Sequence, residues 1–311
     1  TEGMKPYPLT ASEMRSRFAS EDACRTYLEE LRWPQGPVCP RCQHTRVWKM
    51  SPPYWRCAGC HRDFTVTVGT LLEGTRKPLA WWLDAIWHVV SQKNGISALG
   101  IQRELGFGSY HTAWNWLHKL RRAMVRSGRD RLAGSVEFDE VYIGGEASGK
   151  RGRGAERKSL IIIAAQALGA GIGRIRLQRV ADASSASLCD AIERTVLPGS
   201  TVLTDGWQAY AAMTQRGYVH GVVRKEAIVG DNLLPRCNRV AALLKRWMLG
   251  THQGAILPSH LEYYLDEFTF RFNRRTSSSR GLLFYRLVCQ ALQTLPVHQA
   301  DLRGGTPPHH L

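Results

Sequence analysis

Hydrophobic positions in the first 125 residues recur every three or four residues, a spacing that is typical of amphipathic helices. This pattern predicts helices over residues 10–32, 79–92, 97–105 and 109–124. Thr10 and Glu13 form a candidate capping box at the start of the first helix. The third helix opens at Ser97, a candidate N-cap, and Gly106 and Gly108 close it. The front of the chain is therefore predicted to be mainly helical.

From Ser135 onward the pattern changes to short runs rich in β-branched residues, which predict strands. The predicted strands cover residues 136–143, 160–168, 172–180, 201–204 and 220–223. The predicted helices in this part cover residues 184–196, 207–213, 238–249, 258–271 and 282–294. Three strands followed by helix, strand, helix and strand indicate an α/β fold with a mixed sheet flanked by helices. The basic run at residues 150–158 is predicted to be a loop or a hairpin tip.

The composition is globular, since 43% of the 311 residues are hydrophobic and 22% are charged, which excludes bulk disorder. The 42 lysines and arginines exceed the 26 acidic residues, so the formal net charge is +16 and the isoelectric point is about 9.8. Such a surplus attracts polyanions, most commonly nucleic acid, although a merely basic enzyme is the alternative. No apolar stretch reaches the roughly 20 residues of a membrane-spanning helix, and no secretory start is apparent. We therefore expect a cytoplasmic protein.

Four of the eight cysteines form two Cys-x-x-Cys motifs, Cys39 to Cys42 and Cys57 to Cys60. Four thiolates about 2.3 Å from Zn²⁺ make a closed, tetrahedral structural site. Short apolar runs around the motifs predict three strands, at residues 45–50, 54–56 and 64–68. This pattern predicts a zinc ribbon, and two disulfides in a secreted domain are the alternative. The remaining cysteines are scattered singly, which favours a reducing compartment and a metal site.

Residues 97–124 contain a helix, a glycine-containing turn and a basic helix with aromatic residues. This is the outline of a helix-turn-helix, whose second helix can enter the major groove of DNA. The candidate DNA contacts on that helix are His111, Asn115, His118, Lys119, Arg121 and Arg122. Two alternatives are open: an ordinary helical hairpin packed on the core, and a plain surface role for the two histidines.

Two aspartates occupy positions at which an active site could be built. Asp139 lies within an otherwise apolar predicted strand, and Asp205 lies where a strand ends before a turn. A buried acid is costly unless a group such as a divalent cation pairs with it, and sites in such sheets favour strand ends. Asn238 and Lys245 share one face of a predicted helix, about 10 Å apart along its axis. The alternatives are a helix N-cap for Asn238 and a solvated side chain for Lys245.

Three neighbouring residues receive no role in this site. Strand alternation directs Glu140 to the face opposite Asp139. Glu137 shares the face of Asp139, but nothing in the sequence gives it a function. His220 is either an extra metal ligand or a strand histidine with an ordinary hydrogen-bond partner.

Four segments resemble the successive motifs of bacterial insertion-sequence transposases that carry an N-terminal zinc ribbon and a DDE-type catalytic domain. These segments are Phe138–Gly145, Leu203–Tyr210, Leu244–His252 and Tyr264–Arg275, and the resemblance covers roughly residues 10–290. It implies an RNase H-like fold in which Asp139 and Asp205 are metal ligands. A glutamate usually completes the set, with Lys or Arg seven residues later, where this chain has Asn238 and Lys245. An amide oxygen can ligate Mg²⁺ without charge, so we expect a working Asp-Asp-Asn site, with loss of catalysis as the rival.

The resemblance further implies phosphoryl transfer assisted by two divalent ions, Mg²⁺ or Mn²⁺, about 3.5–4 Å apart. The substrates would be double-stranded DNA at the terminal inverted repeats and then at the target. Lys245 would contact a phosphate near the scissile bond. Arg271, Arg274 and Arg275 would clamp the DNA backbone unless they form a solvated basic face. The rival function is a domesticated transposase that binds DNA as a regulator without cutting it.

These expectations divide the chain into five parts. They are an N-terminal helical segment (1–35), the zinc ribbon (36–70), the helix-turn-helix region (71–130), the RNase H-like catalytic domain (131–295) and a C-terminal tail (296–311). By analogy with the family, pairing two element ends implies at least a homodimer. A bacterial protein of this kind is expected to associate with the nucleoid.

Overall fold

The computed structural model describes residues 6–125, 130–144, 158–223, 233–254 and 256–303. Within this part of the chain the contacts define two compact units. The first unit contains residues 6–125 and returns at residues 277–303, whereas the second contains the described residues between 130 and 276. The first unit is therefore assembled from two separated stretches of sequence.

The elements below are given in chain order. The helices are α1 (Ala11–Arg17), α2 (Glu21–Arg32), α3 (Leu79–Ser91), α4 (Ala98–Leu105), α5 (Tyr110–Ala123), α6 (Ser185–Thr195), α7 (Pro235–His252), α8 (Leu261–Phe272), α9 (Arg280–Gln293) and α10 (Gln299–Arg303). The strands are β1 (Val47–Lys49), β2 (Trp55–Cys57), β3 (Asp63–Phe64), β4 (Ser135–Ile143), β5 (Ser159–Leu168), β6 (Gly171–Val180), β7 (Thr201–Thr204) and β8 (Val219–Val222). Two 3₁₀ segments lie at Gln208–Arg216 and Pro258–His260. No helix in the described ranges is both long and apolar enough to cross a membrane.

The first predicted helix, residues 10–32, is wrong as a single element, because the chain leaves helical geometry at Phe18 and starts again after Ser20. The Ser20 hydroxyl accepts a hydrogen bond from the Ala23 amide at 3.2 Å and so caps α2. The expected cap of α1 is present, since the Thr10 hydroxyl accepts from the Glu13 amide at 3.1 Å. Ser20, a capping residue within one apolar repeat, is the sequence feature that marks this break between two helices.

The rest of the first unit is built around aromatic side chains of α3, α5 and α9. Trp82 and Trp116 stack with ring centroids 3.6 Å apart, and both are buried. Phe284 of α9 is fully buried and contacts the aromatic rings of Phe18, Tyr27 and Trp87. The core of the first unit therefore includes a helix, α9, from the C-terminal part of the chain.

The second unit contains a five-stranded mixed sheet in the order β6-β5-β4-β7-β8. The β6-β5-β4 strands are antiparallel neighbours, whereas β7 is parallel to β4 and β8 is parallel to β7. Ile162 of β5 faces a core formed with α6, and Ile161 and Ile163 face a second core formed with α7 and α8. Burial on both faces explains why β5 is apolar at nearly every position. The predicted fold class, an α/β mixed sheet flanked by helices with a small antiparallel sheet in front, is confirmed.

Predicted and observed element boundaries differ at several points. Helix α7 begins at Pro235, three residues before the predicted start, and Pro is well suited to the first helical position. The predicted tail from residue 296 contains α10, in which Leu302 is fully buried. The predicted basic loop at residues 150–158 and the segment 304–311 lie outside the described residues, apart from Lys158.

Candidate active site and zinc centre

The four ribbon cysteines lie together. Their sulfur atoms are all within 4.8 Å of one another, with Sγ–Sγ distances of 3.7 Å for Cys39 and Cys60 and 3.5 Å for Cys42 and Cys57. Four sulfurs at the tetrahedral Zn–S distance of 2.3 Å would be about 3.8 Å apart, whereas a disulfide needs about 2.05 Å. The thiols are free, so the disulfide alternative is wrong and the cluster fits a structural zinc ion.

The turns of the ribbon hold these thiols in place. At each Cys-x-x-Cys motif the chain folds back on itself. The backbone amide of Gln43 donates to the Cys39 carbonyl and that of His61 donates to the Cys57 carbonyl, both within 3.0 Å. Gln43 and His61 adopt left-handed backbone geometry, with φ of 60° and 55°. The Gly59 amide donates to the Cys57 sulfur at 3.3 Å, which stabilises a thiolate there.

In the second unit the sheet topology brings Asp139 and Asp205 side by side. β4 and β7 are parallel neighbours in which Glu137 is opposite Leu203, so the residues two positions later on each strand are Asp139 and Asp205. Burial, followed by the charges of Glu140 and Asp205, raises the pKa of Asp139 to about 6. The Asp139 carboxylate accepts from the Glu140 amide at 2.9 Å.

Asp205 occupies the turn after β7, where its carboxylate accepts from the Trp207 amide at 3.0 Å. The neighbouring Thr204 hydroxyl accepts from the Gly206 amide at 3.2 Å and shares a hydrogen bond of 2.9 Å with His220. Of the two readings of His220, the structure thus favours the strand histidine with an ordinary partner. Thr204 and His220 fix the turn that presents Asp205.

The first turn of α7 lies on the same face of the sheet as Asp139. The buried Cys237 thiol donates to the carbonyl of Ile163, the β5 residue that pairs with Asp139. Burial raises the pKa of the Cys237 thiol well above its usual value, and the charges of Asp139 and Glu137 add to this effect. Asn238 follows directly and is exposed, as is Lys245 two turns later. The N-cap reading of Asn238 is wrong, because Leu234 occupies that position and the Asn238 amide already donates to its carbonyl.

Glu137, which received no role from the sequence, ties α7 to the sheet. Its carboxylate is buried and accepts from the backbone amides of Arg236 at 2.7 Å and Cys237 at 3.0 Å. It also forms an ion pair of 2.8 Å with the Arg236 guanidinium. That guanidinium donates to the carbonyls of Gly169 and Gly171 in the β5–β6 turn, at 3.0 Å each. Glu137 therefore serves as a cap for α7 from a distant strand.

Glu140 lies on the opposite face, as strand alternation predicted. Its carboxylate accepts from the Tyr210 hydroxyl at 2.5 Å, and Tyr210 belongs to the core formed with α6. Burial, and then the charge of Glu140, raises the pKa of Tyr210. Tyr210 therefore stays protonated as a hydrogen-bond donor at any physiological pH.

Two family models match the chain. A transposase zinc-ribbon domain matches residues 19–63, which include the four clustered cysteines. An ISXO2-like transposase domain matches residues 131–273, which include Asp139, Asp205, Asn238 and Lys245. The chain is therefore similar to transposases in both its ribbon and its sheet unit. An uncharacterized protein in transposable element ISH50 of Halobacterium salinarum is 28% identical over 279 residues, which cover 82% of this chain and 91% of that protein.

The predicted DNA contacts on α5 differ in exposure. His118 and Arg121 are buried and share a hydrogen bond of 3.2 Å, and the His118 ring stacks on Trp114. His111 is exposed, whereas Asn115, Lys119 and Arg122 are half-buried. Burial lowers the pKa of Lys119. The prediction of DNA contacts therefore stays only for the side chains that reach the surface, those of His111, Asn115, Lys119 and Arg122.

The three arginines around the end of α8 have partners within the second unit. The Arg271 guanidinium pairs with Glu267 at 2.9 Å, and Arg274 lies 4.0 Å from the ring centroid of Phe270. Arg275 donates to the carbonyls of Ile172 and Gly173. These contacts favour a structural role over a solvated basic face. The neighbouring Asn273 side chain bonds both backbone groups of Ile175 and so extends the edge of β6.

Proposed function

We propose that this chain is an active DNA transposase, which binds the terminal inverted repeats of its element and carries out metal-dependent nicking and strand transfer. The observation that carries the proposal is that Asp139 and Asp205 each lie two residues beyond a paired position of the parallel strands β4 and β7, beside the first turn of α7. A zinc ribbon and a net charge of +16 support double-stranded DNA as the partner. At least a homodimer is expected, since two element ends must be joined.

The residues at this site fit a hard divalent cation. Asp139, Asp205 and Asn238 offer oxygen donors, the type that Mg²⁺ and Mn²⁺ prefer. Burial, followed by the charges of Glu140 and Asp205, raises the pKa of Asp139, and a bound divalent ion would favour its charged form. Two such ions, when bound, would supply an activated oxygen nucleophile and stabilise the leaving oxygen of the phosphodiester.

The protein side chains have separate tasks in this proposal. Asp139 and Asp205 hold the cations, and the amide of Asn238 supplies a neutral third ligand. Glu137 and Arg236 keep the start of α7 against β4. Lys245 is exposed two turns along α7 and contacts a DNA phosphate, which orients the scissile strand.

The test uses the purified, zinc-loaded protein, Mg²⁺ or Mn²⁺, and DNA that carries the element ends. Asp139→Ala and Asp205→Ala are each expected to lower the cleavage rate at least about 100-fold, because each removes a metal ligand. Binding of the same DNA in a mobility-shift assay should stay close to wild type, since the zinc ribbon is unchanged. Equal cleavage by the wild type and either variant would refute the catalytic site.

A second candidate function is DNA binding without catalysis, as in a domesticated transposase. The neutral Asn238 favours it, because the family set usually has an acid there and a neutral ligand holds metal less tightly. Asn238→Asp separates the two functions. If the wild type binds the element ends but only Asn238→Asp cleaves them, the regulator is correct. If both cleave, and the variant does so at lower Mg²⁺, the transposase is correct.

A further inference from the structure

The β1–β2 hairpin of the ribbon has one face that is not covered by the described protein. Trp48 pairs with Arg56 across the two strands, and Met50 donates its amide to the Tyr54 carbonyl at 2.9 Å, so these four side chains lie on one side. Trp48 is 44% exposed and Tyr54 is 49% exposed. We call these four residues the aromatic face of the ribbon.

The opposite side of the same hairpin is the one that supports the zinc site. Val47 and Trp55 pack with Cys57 and Phe64 in the ribbon core. Trp48 and Tyr54 are not needed for that core. Two large aromatic side chains at the surface of so small a module therefore indicate an interaction surface.

The charges around the aromatic face indicate the partner. Residues 36–70 contain five lysines and arginines and a single acidic residue, Asp63, so they stay net positive even with a zinc–tetrathiolate charge of −2. Asp63 is already paired with Arg56 through two hydrogen bonds, of 2.6 and 2.8 Å. No described carboxylate forms an ion pair with Arg46, which is exposed and shares the side of Trp48. Lys49 alternates to the opposite side, where it lies 5.5 Å from the ring centroid of Trp55. A second copy of this basic module would be repelled, whereas a polyanion would be attracted.

We propose that the aromatic face binds an unpaired stretch of DNA, with bases stacked on Trp48 and Tyr54 and phosphates held by Arg46, two residues before Trp48. Exposed aromatic rings beside cations are the combination that holds single strands, because every unpaired base offers a flat face for stacking. The bases of intact duplex DNA are stacked on each other and do not offer that face. The surface goes beyond the proposed function, since it needs neither Asp139 nor Asp205.

The test measures binding of a fluorescently labelled oligothymidine of about 15 nucleotides to the full-length, zinc-loaded protein by anisotropy. Trp48→Leu keeps the apolar bulk but removes the ring, and is expected to weaken binding about 5- to 100-fold. Trp48→Phe keeps a ring and should stay within about threefold of wild type. Affinity for duplex DNA of the same length should not change with Trp48→Leu.

The salt dependence separates stacking from phosphate contact. Trp48→Leu should leave the slope of log affinity against log salt unchanged, whereas Arg46→Gln should reduce it by about 0.7, the value for one contact on a single strand. Zinc content is measured for each variant as the check on folding. Photo-crosslinking of the wild type to a 5-iodouracil oligonucleotide, which needs no variant, should label Trp48 or Tyr54.

Three results would overturn the proposal. One is unchanged binding of the oligothymidine by the Trp48→Leu/Tyr54→Leu double variant with full zinc content. Another is crosslinking only at residues outside 46–56. The third is a double variant that changes from dimer to monomer in sedimentation while still binding the oligonucleotide, which would make the face a protein interface. Failure of the catalytic proposal would leave all three readouts intact.

Discussion

Without a bound cation, the charged Asp139 carboxylate lowers the stability of the folded protein. It is partly buried, and burial together with the charges of Glu140, on the opposite face, and of Asp205 raises its pKa to about 6 from an ordinary value of 3.8. A third acid in place of Asn238 would add another negative charge to the same region. In the proposed site, the neutral amide adds no charge to the metal-free state and would hold a metal ion less tightly than a carboxylate.

Asp139→Asn is expected to stabilise the metal-free protein at neutral and alkaline pH. A carboxyl with a raised pKa loses folding stability as the pH rises from about 4 to about 6, and the loss stays constant above that range. The substitution should therefore raise the free energy of unfolding by roughly 2–3 kcal/mol at pH 8 and by almost nothing below pH 4. Urea unfolding in Mg²⁺-free buffer, at several pH values, measures the difference.

Added Mn²⁺ provides the control for this prediction. It should raise the midpoint of wild-type unfolding, because ligand binding stabilises the folded state, and should raise that of Asp139→Asn much less. A stability difference that does not depend on pH would show that the carboxylate is not the cause.

At the scale of the element, α7 depends on a cap that is far away in sequence. Its first backbone amides donate to Glu137 of β4, and Arg236 joins the same carboxylate to the β5–β6 turn. The position of Asn238 relative to Asp139 therefore depends on one buried carboxylate two residues before Asp139. Glu137 is a positioning residue in this arrangement, with no contact to substrate assigned to it.

Replacing Glu137 should destabilise the second unit, and alanine should do so more than glutamine. Glu137→Ala leaves the α7 amides and the Arg236 guanidinium without their partner, at a cost of about 3–5 kcal/mol. Glu137→Gln keeps an acceptor oxygen and should cost about 1–2 kcal/mol. Denaturant unfolding measures both, and Arg239→Met, an exposed arginine on the same helix, should be within about 0.5 kcal/mol of wild type. Equal effects of the alanine and glutamine variants would contradict the capping role.

Local patterns predicted most elements to within three residues, but not the contacts between distant ones. Ser97 and Thr10 cap helices as expected, because a cap is a local signal. The start of α7 was misplaced at Asn238, since Asn is a preferred cap, and the actual cap is 99 residues away in Glu137. The role of Arg236 was missed for the same reason. Asp139 and Asp205 become neighbours only because β7 inserts parallel to β4, which strand periodicity does not encode.

At the scale of the whole molecule, the chain order and the compact units do not coincide. The predicted catalytic domain extended to residue 295, whereas the second unit ends at Thr276 and the ISXO2-like match ends at residue 273. Helix α9 resembles any other amphipathic helix in the sequence, so its pattern does not reveal which core it joins. Phe284 shows that α9 joins the core of the first unit, because its ring packs with aromatic side chains from α2 and α3. We propose that residues 277–303 are required to fold the first unit.

Phe284→Ala tests this assignment, because the two units should respond differently. Loss of a fully buried phenylalanine is expected to cost about 3–5 kcal/mol of stability in the first unit. Hydrogen exchange followed by mass spectrometry should then show faster exchange in α2, α3 and α9, while the strands β4 to β8 keep their protection. Arg286→Ala, an exposed position on the same helix, is the matched control and should change neither unit. Faster exchange in β4 and β5 to the same degree as in α3 would mean that α9 belongs with the sheet, as the predicted boundary at residue 295 implied, and that the two units do not unfold separately.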